Sequence, residues 1–160
     1  MDKYCKDQDI EVRVLKLKST LFNVCIIAVY RVPTVNFNLF LNRLDDIIKT
    51  LYKANLQLII CGDINTHYLT DNDKKKQYDA VLLTYSLSAI VYFPTRSQGY
   101  SNTAIDNIFI DTYKFMNFTV SPLHNGLSDH DAQVLTINNV NLQLQKHCIY
   151  TIRNINNYSI

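Results

Sequence analysis

Three short polar clusters interrupt otherwise apolar segments of the sequence, and each contains an aspartate. The clusters are Gly62-Asp63-Ile64-Asn65, Ile105-Asp106-Asn107 and Ser128-Asp129-His130. A carboxylate at the end of a buried segment costs desolvation free energy unless a partner or a ligand uses it. If the three segments end on one face of a layered fold, three carboxylates, an imidazole and an amide come together. That set suits phosphodiester hydrolysis, which needs a cation held by oxygens, a base for water and donors for the phosphate.

Each cluster also has a purely structural interpretation. Asp63 after a glycine is typical of a turn or a helix N-cap, Asp129 suits an ordinary loop, and a single histidine is more often structural than catalytic. Asp106 is harder to explain, because it stands within the apolar segment AIDNIFI, where a carboxylate needs a partner. We predict His130 as that partner. The presence of all three clusters in one chain favours the functional interpretation.

The elements that would position these clusters follow an α/β pattern. Residues 10–18 alternate between apolar and charged side chains and predict a half-exposed strand, and residues 22–30 predict a buried strand. Asn36 is the predicted N-cap of a helix with one apolar face, and residues 56–60 predict a short buried strand. Strand, strand, helix and strand in this order indicate an α/β fold, in which sites lie beyond strand ends.

The second half of the chain adds further predicted elements. A charged run at residues 71–76 opens a second helix that ends near residue 86. We then predict strands at residues 88–93, 104–110, 113–120 and 134–137, a polar loop at 94–103 that could contact substrate, and a loop at 121–133. Residues 1–137 form one predicted domain, and residues 138–160 form a polar tail rich in Asn and Gln.

Composition narrows the class of protein. The chain has 160 residues, 48% of them hydrophobic, which suits one globular domain. A net charge of +2 permits nucleic-acid binding without requiring it. The four cysteines have no CxxC spacing, which favours free thiols in a reducing compartment. The polar N-terminus and the short apolar runs predict no signal peptide and no membrane span, so we expect an intracellular protein of the nucleus or cytoplasm, not a secreted one.

Five segments together resemble the endonuclease/exonuclease/phosphatase family, whose fold is that of DNase I and abasic-site endonucleases. The segments are AVYRVP (28–33), LIICGDINTH (58–67), FPTR (93–96), TAIDNIFI (103–110) and GLSDHDAQ (126–133). More narrowly, they are similar to the endonuclease domain of insect-type non-LTR retrotransposons. The resemblance covers roughly residues 8–137 and implies a DNase I-like layered α/β sandwich. It also implies a Mg²⁺-dependent DNA endonuclease, with Mn²⁺ as a substitute, whose parent element carries a reverse transcriptase in the same polypeptide.

The resemblance implies a role for each matched residue. Asp63 would polarise or deprotonate the attacking water, and Asn65 would bind the scissile phosphate. Asp106 would orient His130, which would contact the phosphate, and Asp129 would help to bind the metal.

The resemblance also implies roles for residues that flank the same motifs. Tyr30 would contact the phosphate or the leaving group, and Arg31 beside it would help to bind the substrate. Thr95 and Arg96 would contact the DNA backbone.

The sequence departs from the family pattern in one respect. Family domains begin with a strand bearing an Asn and continue to a Glu that is a main metal ligand, and no residue matches either. Glu11 lies in an alternating strand and does not fit the Glu motif. We therefore expect a sandwich that is incomplete at its N-terminus and an impaired endonuclease. Two alternatives stay open: an inactive transposon-derived remnant that at most binds DNA, and a phosphatase acting on a small phosphodiester or a phosphoinositide.

Overall fold

The structure, a computed structural model, describes residues 10–18, 23–124 and 126–138. Within these ranges the chain forms a mixed α/β fold. The elements in chain order are β1 (Ile10–Lys18), β2 (Asn23–Arg31), α1 (Phe37–Leu51), β3 (Gln57–Asp63), α2 (Asp73–Leu83), β4 (Ser88–Ala89), β5 (Arg96–Gln98), β6 (Ser101–Thr103), β7 (Asp106–Ile110), β8 (Phe118–Leu123) and β9 (Ala132–Ile137).

A five-stranded sheet in the order β1-β2-β3-β7-β4 forms the centre of the fold. β2 and β3 run parallel, and the other neighbouring strands are antiparallel. A parallel pair needs a crossover connection, which α1 supplies between β2 and β3. The strands predicted at residues 10–18, 22–30 and 56–60 are therefore confirmed as β1, β2 and β3, with residue 22 outside the described residues. β3 continues into the first polar cluster as far as Asp63.

Helix α1 has the predicted cap and the predicted apolar face. The Asn36 side chain accepts hydrogen bonds from the backbone N–H groups of Asn38 at 3.0 Å and Leu39 at 3.1 Å, which is the usual N-cap arrangement. The buried residues of the helix are Phe40, Leu41, Leu44, Ile47, Ile48 and Leu51. Their spacing places them on one side of the helix, where they pack on the sheet.

Helix α2 is shorter than the sequence predicts. The Asn72 side chain caps its start by accepting a hydrogen bond from the Lys75 backbone N–H at 2.9 Å. The helix ends at Leu83 rather than near residue 86. The following turn tightens, since the Ser86 N–H donates to the Leu83 carbonyl, and Ser86 has a positive φ of 59° that no α-helix continues through.

Apolar side chains cover both faces of the central sheet. Between the sheet and the two helices lies a core that includes Ile27 and Phe109. On the opposite face, Ile59 belongs to a second core, against which Val120 of β8 and Leu135 of β9 pack. Successive residues of a strand point to opposite faces, so β2, β3 and β7 contribute to both cores. The predicted layered α/β sandwich is confirmed in this arrangement.

The strand predicted at residues 88–93 is confined to Ser88–Ala89. Beyond it, a buried side chain takes the place of the backbone hydrogen bonds between strands. The Val91 N–H donates to Oδ1 of Asn107 at 3.2 Å, and Nδ2 of Asn107 donates to the Val91 carbonyl at 3.2 Å. Asn107 is fully buried, and these bonds satisfy its amide.

Two loop boundaries also differ from the sequence prediction. The predicted loop at residues 94–103 contains the hairpin of β5 and β6, which turns through Gly99 at a φ of 59°. The strand predicted from residue 113 begins only at Phe118, since Asp111 starts a turn by accepting a hydrogen bond from the Tyr113 N–H at 3.0 Å. The loop predicted at 121–133 is shorter, because β8 extends to Leu123 and β9 starts at Ala132.

The predicted polar tail lies outside the described residues apart from Asn138, so the domain boundary near residue 137 stays a prediction. In the part of the chain that the structure describes, no helix is long and apolar enough to cross a membrane.

Candidate active site

Tyr30, Asp63 and Asp106 form a row across the end of the central sheet. Tyr30 on β2 stands opposite Asp63 on β3, and Asp63 stands opposite Asp106 on β7. Directly paired residues project from the same face of a sheet. Tyr30 is 39% exposed, so the row opens to solvent at that end. Glu11 on β1 stands opposite Tyr30 and continues the row by one strand.

Gly62 allows β3 to approach β2 closely just before Asp63. A Cβ atom at this position would lie 2.0 Å from the Val29 carbonyl oxygen, and the φ of Gly62 is 134°. Both the space and the backbone conformation exclude other residues. The close approach of the two strands therefore explains why a glycine stands in the first polar cluster. The same approach determines the position of the Asp63 carboxylate.

Two side chains hold the carboxylate of Asp106 in place. Oδ2 of Asp106 lies 3.0 Å from Nδ1 of His130 and accepts a hydrogen bond from the Thr95 hydroxyl at 2.9 Å. Thr95 Oγ1 in turn accepts from the backbone N–H groups of Ile105 and Asp106. With Asp106 ionised, Nδ1 of His130 is the donor, which leaves Nε2 of the imidazole for a ligand.

Asp63 completes a compact group with Asp106 and His130. One ligand atom of each residue can be chosen so that all three atoms lie within 4.8 Å of one another. Burial raises the pKa of the Asp63 carboxyl, a hydrogen bond from the Asn65 N–H lowers it, and the nearby Asp106 raises it. The site thus holds a carboxylate whose proton affinity exceeds that of an exposed aspartate, as a base requires.

Asn65 occupies a tight turn directly after Asp63. Its φ is 47°, in the left-handed region that few residues with side chains adopt. Its backbone N–H donates to Oδ1 of Asp63 at 2.8 Å, and its side-chain Nδ2 donates to the Arg31 carbonyl at 2.8 Å. An amide nitrogen carries two hydrogens, so the bond to the Arg31 carbonyl uses one N–H of the Asn65 side chain.

Two residues predicted to contact substrate lie beneath the site instead. Arg31 is 1% exposed, and its guanidinium donates to the carbonyls of Ile64 and Asn65 at 2.7 Å each. Thr95 is fully buried and holds Asp106. Neither side chain presents a donor at the surface, so the predicted substrate contacts of Arg31 and Thr95 are corrected to supporting contacts.

Arg96 and Asp129 form an ion pair beside the group rather than within it. Nε of Arg96 lies 2.6 Å from Oδ2 of Asp129, and the pKa of Asp129 is lowered by this hydrogen bond. The Asp129 carbonyl also accepts from the Ser97 N–H at 2.9 Å. These contacts tie the segment that carries His130 to β5. The carboxylate predicted to bind metal is thus turned to Arg96, because the guanidinium is its nearest cation.

Asp63 and Asp106 fit a hard divalent cation better than Asp129 does. Mg²⁺ prefers carboxylate oxygens and retains several waters, and two carboxylates with oxygens within 4.8 Å meet that preference. The imidazole of His130 already faces Asp106 through Nδ1. The donor set therefore suits an ion held by two aspartates and completed by water and phosphate oxygens.

The supporting roles of Gly62, Arg31 and Thr95 do not follow from the sequence patterns alone. The sequence feature that could have indicated the role of Gly62 is its position immediately before an acidic residue at the end of a strand. Arg31 ends an apolar strand and has no acidic neighbour in the sequence. Its position therefore does not indicate that its guanidinium bonds to backbone carbonyls. Thr95 looked like a loop residue because the short polar strand that follows it has no apolar alternation.

Neither protein-family models nor curated proteins match the chain, whereas solved structures match its fold. The endonuclease domain of TRAS1, a telomere-specific non-LTR retrotransposon, gives a TM-score of 0.67 at 18% identity, over 84% of this chain and 64% of that one. An AP endonuclease from Archaeoglobus fulgidus gives 0.55 at 13% identity, over 79% and 65%. A 3′ phosphatase from Neisseria bound to a product DNA hairpin gives 0.53 at 16% identity, over 81% and 70%.

These likenesses establish the fold. The chain has the DNase I-like sandwich of endonuclease/exonuclease/phosphatase proteins, as its sequence motifs predict. It spans somewhat less than two thirds of the length of the TRAS1 domain and of the archaeal enzyme, at 64% and 65%.

Proposed function

We propose that the group formed by Asp63, Asp106 and His130 hydrolyses phosphodiester bonds in DNA, in the manner of a retrotransposon endonuclease that nicks its target. The observation that carries the proposal is the convergence of two carboxylates and an imidazole within 4.8 Å at the end of the central sheet. The fold shared with the TRAS1 endonuclease domain and with a phosphatase bound to DNA supports DNA as the substrate.

Asp63 is the base in this proposal. Its Oδ1 accepts a hydrogen bond from the Asn65 N–H, which leaves Oδ2 to take a proton from the attacking water. Positioned general bases of this kind contribute about 10²–10⁴-fold to rate.

His130 and Asn65 face the phosphate. Asp106 holds the imidazole through Nδ1, so Nε2 of His130 donates to a phosphate oxygen as negative charge develops. The N–H of the Asn65 amide that does not bond to the Arg31 carbonyl does the same. Tyr30, exposed beside Asp63, is placed for the leaving group.

A divalent cation, Mg²⁺ or Mn²⁺, would be held by Asp63 and Asp106. When bound, it neutralises phosphate charge and makes water more acidic. Among the described residues, the group that could hold a cation consists of Asp63, Asp106 and His130, and Glu11, the only glutamate of the sequence, lies beyond Tyr30. We therefore expect slow hydrolysis, because one missing transition-state donor already costs about 10²–10³-fold in such sites.

A second candidate function is DNA binding without hydrolysis. The orientation of Asp129 toward Arg96 favours it, because among the described residues this pairing leaves the carboxylates of Asp63 and Asp106 for a cation. A cation held by two carboxylates needs its remaining ligands from water and phosphate oxygens. The two candidates differ in a single observable, which is strand cleavage.

Nicking of supercoiled plasmid with Mg²⁺, with Mn²⁺ and with EDTA tests the proposal. Asp63→Asn and His130→Gln are the variants, and His124→Gln is the matched control because that exposed histidine pairs with Asp131 outside the group. We expect cation-dependent nicking by the unchanged chain and by the control, and its loss in the two variants. Nicking that persists in Asp63→Asn contradicts the proposal. Absence of nicking from folded protein that shifts DNA in a gel supports the second candidate.

A further inference from the structure

Arg31 carries a charge in one of the most enclosed places of the molecule. Its side chain is 1% exposed at the end of β2. Its Cζ atom lies 5.4 Å from the centre of the Phe37 ring and 5.8 Å from that of Phe40. A guanidinium placed among aromatic rings and away from water must use its donors, or its burial is costly.

All the hydrogen bonds of this guanidinium run to backbone carbonyls. Nε donates to the Ile64 carbonyl and Nη2 to the Asn65 carbonyl, each at 2.7 Å. Nη1 lies at 3.4 Å and 3.5 Å from the carbonyls of Val32 and Pro33. Among the described residues, no carboxylate forms an ion pair with it. The two short bonds grip consecutive carbonyls of the turn that follows Asp63.

The contact is reciprocal. Nδ2 of Asn65 donates to the Arg31 carbonyl at 2.8 Å, while the Asn65 backbone N–H donates to Oδ1 of Asp63 at 2.8 Å. Asn65 holds its left-handed φ of 47° within this closed set of bonds. Such a conformation persists only where the surroundings determine it. Arg31 therefore bonds to both the backbone and the side chain of Asn65, and Asn65 in turn bonds to the Asp63 carboxylate.

We propose that Arg31 is a positioning residue of the cleavage site, which fixes the left-handed turn so that the Asn65 amide and the Asp63 carboxylate keep their places. This inference rests on the proposed function of Asp63 and Asn65. The planar fork of arginine matches two consecutive carbonyls, whereas a lysine ammonium holds one at a time. Arg31→Lys keeps the charge and loses the fork.

The test compares Arg31→Lys with Phe40→Leu, which disturbs the same core without removing a hydrogen bond from the turn. Both variants are ¹⁵N-labelled, and the side-chain amide and backbone N–H of Asn65 are followed by NMR. In Arg31→Lys we expect both Asn65 signals to shift and the exchange of its backbone N–H to rise at least about tenfold. We expect Phe40→Leu to leave both Asn65 signals unshifted when the two variants are compared under conditions that give them the same unfolding free energy.

Kinetics supply the second measurement. A displaced turn lowers kcat by about 10²-fold while KM changes by less than about threefold, since placement and not overall binding is lost. Equal effects of Arg31→Lys and Phe40→Leu on Asn65, or unchanged Asn65 signals in Arg31→Lys, overturn the inference. So does failure of Arg31→Lys to fold where Phe40→Leu folds, because Arg31 then serves the whole fold. The NMR result does not depend on cleavage, so it is independent of whether the proposed function holds.

Discussion

The two halves of the site are held by different kinds of contact. Asp63 and Asn65 follow a central strand and rest on the enclosed guanidinium of Arg31. His130 stands on a segment fixed by surface contacts, among them the ion pair of Asp129 with Arg96, whose side chains are 38% and 34% exposed. Buried contacts determine the first half more strongly than exposed contacts determine the second. Disturbing the buried contacts that support the first half should therefore cost stability, and disturbing the second half should cost mainly catalysis.

The largest effect should come from Gly62 in the buried half. Gly62→Ala places a Cβ 2.0 Å from the Val29 carbonyl oxygen at a φ of 134°, so β2 and β3 must separate. We expect a loss of about 3 kcal/mol in unfolding free energy, measured by urea denaturation. Gly99→Ala is the control, since a Cβ there meets nothing within 4 Å at a φ of 59°. A loss of about 1 kcal/mol is expected for it, and equal losses for both variants would contradict the comparison.

Asp106→Asn should separate orientation of the imidazole from folding. The amide no longer favours the tautomer in which Nδ1 of His130 donates, so Nε2 is presented incorrectly to phosphate. We expect nicking to fall about 10²-fold with little change in the melting temperature. Asp111→Asn is the control, since Asp111 is a buried aspartate that directly follows the other end of β7. A similar loss of nicking in that control would refute the specific role of Asp106.

Asp63→Asn should stabilise the fold while it abolishes cleavage. Because burial raises the pKa of Asp63, the folded state disfavours its ionised form, and this penalty applies above the folded pKa. As pH falls through the folded pKa and below the unfolded value, the penalty disappears. We expect the variant to be more stable than the unchanged chain at pH 7 and to lose that advantage at pH 3, from urea unfolding at both values. A gain in unfolding free energy that is larger at pH 3 than at pH 7 would contradict the raised pKa of Asp63.

The smallest effect should come from the exposed ion pair. Asp129→Asn keeps the hydrogen-bond acceptor for Arg96 and removes only the charge. Exposed pairs contribute little, so we expect nicking to change by no more than about fivefold. A loss comparable to that of Asp106→Asn would restore Asp129 as the metal ligand that the sequence predicts. Mg²⁺ titration of the two variants would then separate the roles.

The sequence predicted the order of elements and the meeting of three clusters because both follow from simple patterns. Apolar periodicity defined β1, β2, α1 and β3, and acids at the ends of apolar strands indicated where Asp63 and Asp106 lie. What it did not predict depends on which way a polar side chain turns. Arg31 and Thr95 look like surface donors in sequence, yet both turn inward, because carbonyls and a carboxylate beneath the site take up their hydrogens.

The same limit applies to short elements. The Asn107 amide takes the place of backbone pairing at Val91. Side-chain bonding of this kind produces no periodic pattern of apolar residues in the sequence. The hairpin of β5 and β6 consists of polar residues on both faces, so its sequence looks like a loop.

The central claim is that Asp63 and His130 act in one site, and a double-mutant cycle of plasmid nicking tests it most directly. The rates of Asp63→Asn, His130→Gln and the double variant are compared with the unchanged chain under one Mg²⁺ concentration. Residues that act as a unit give a double variant no slower than the slower single variant. We predict that result. Multiplicative losses, or nicking that neither substitution affects, would contradict a common site.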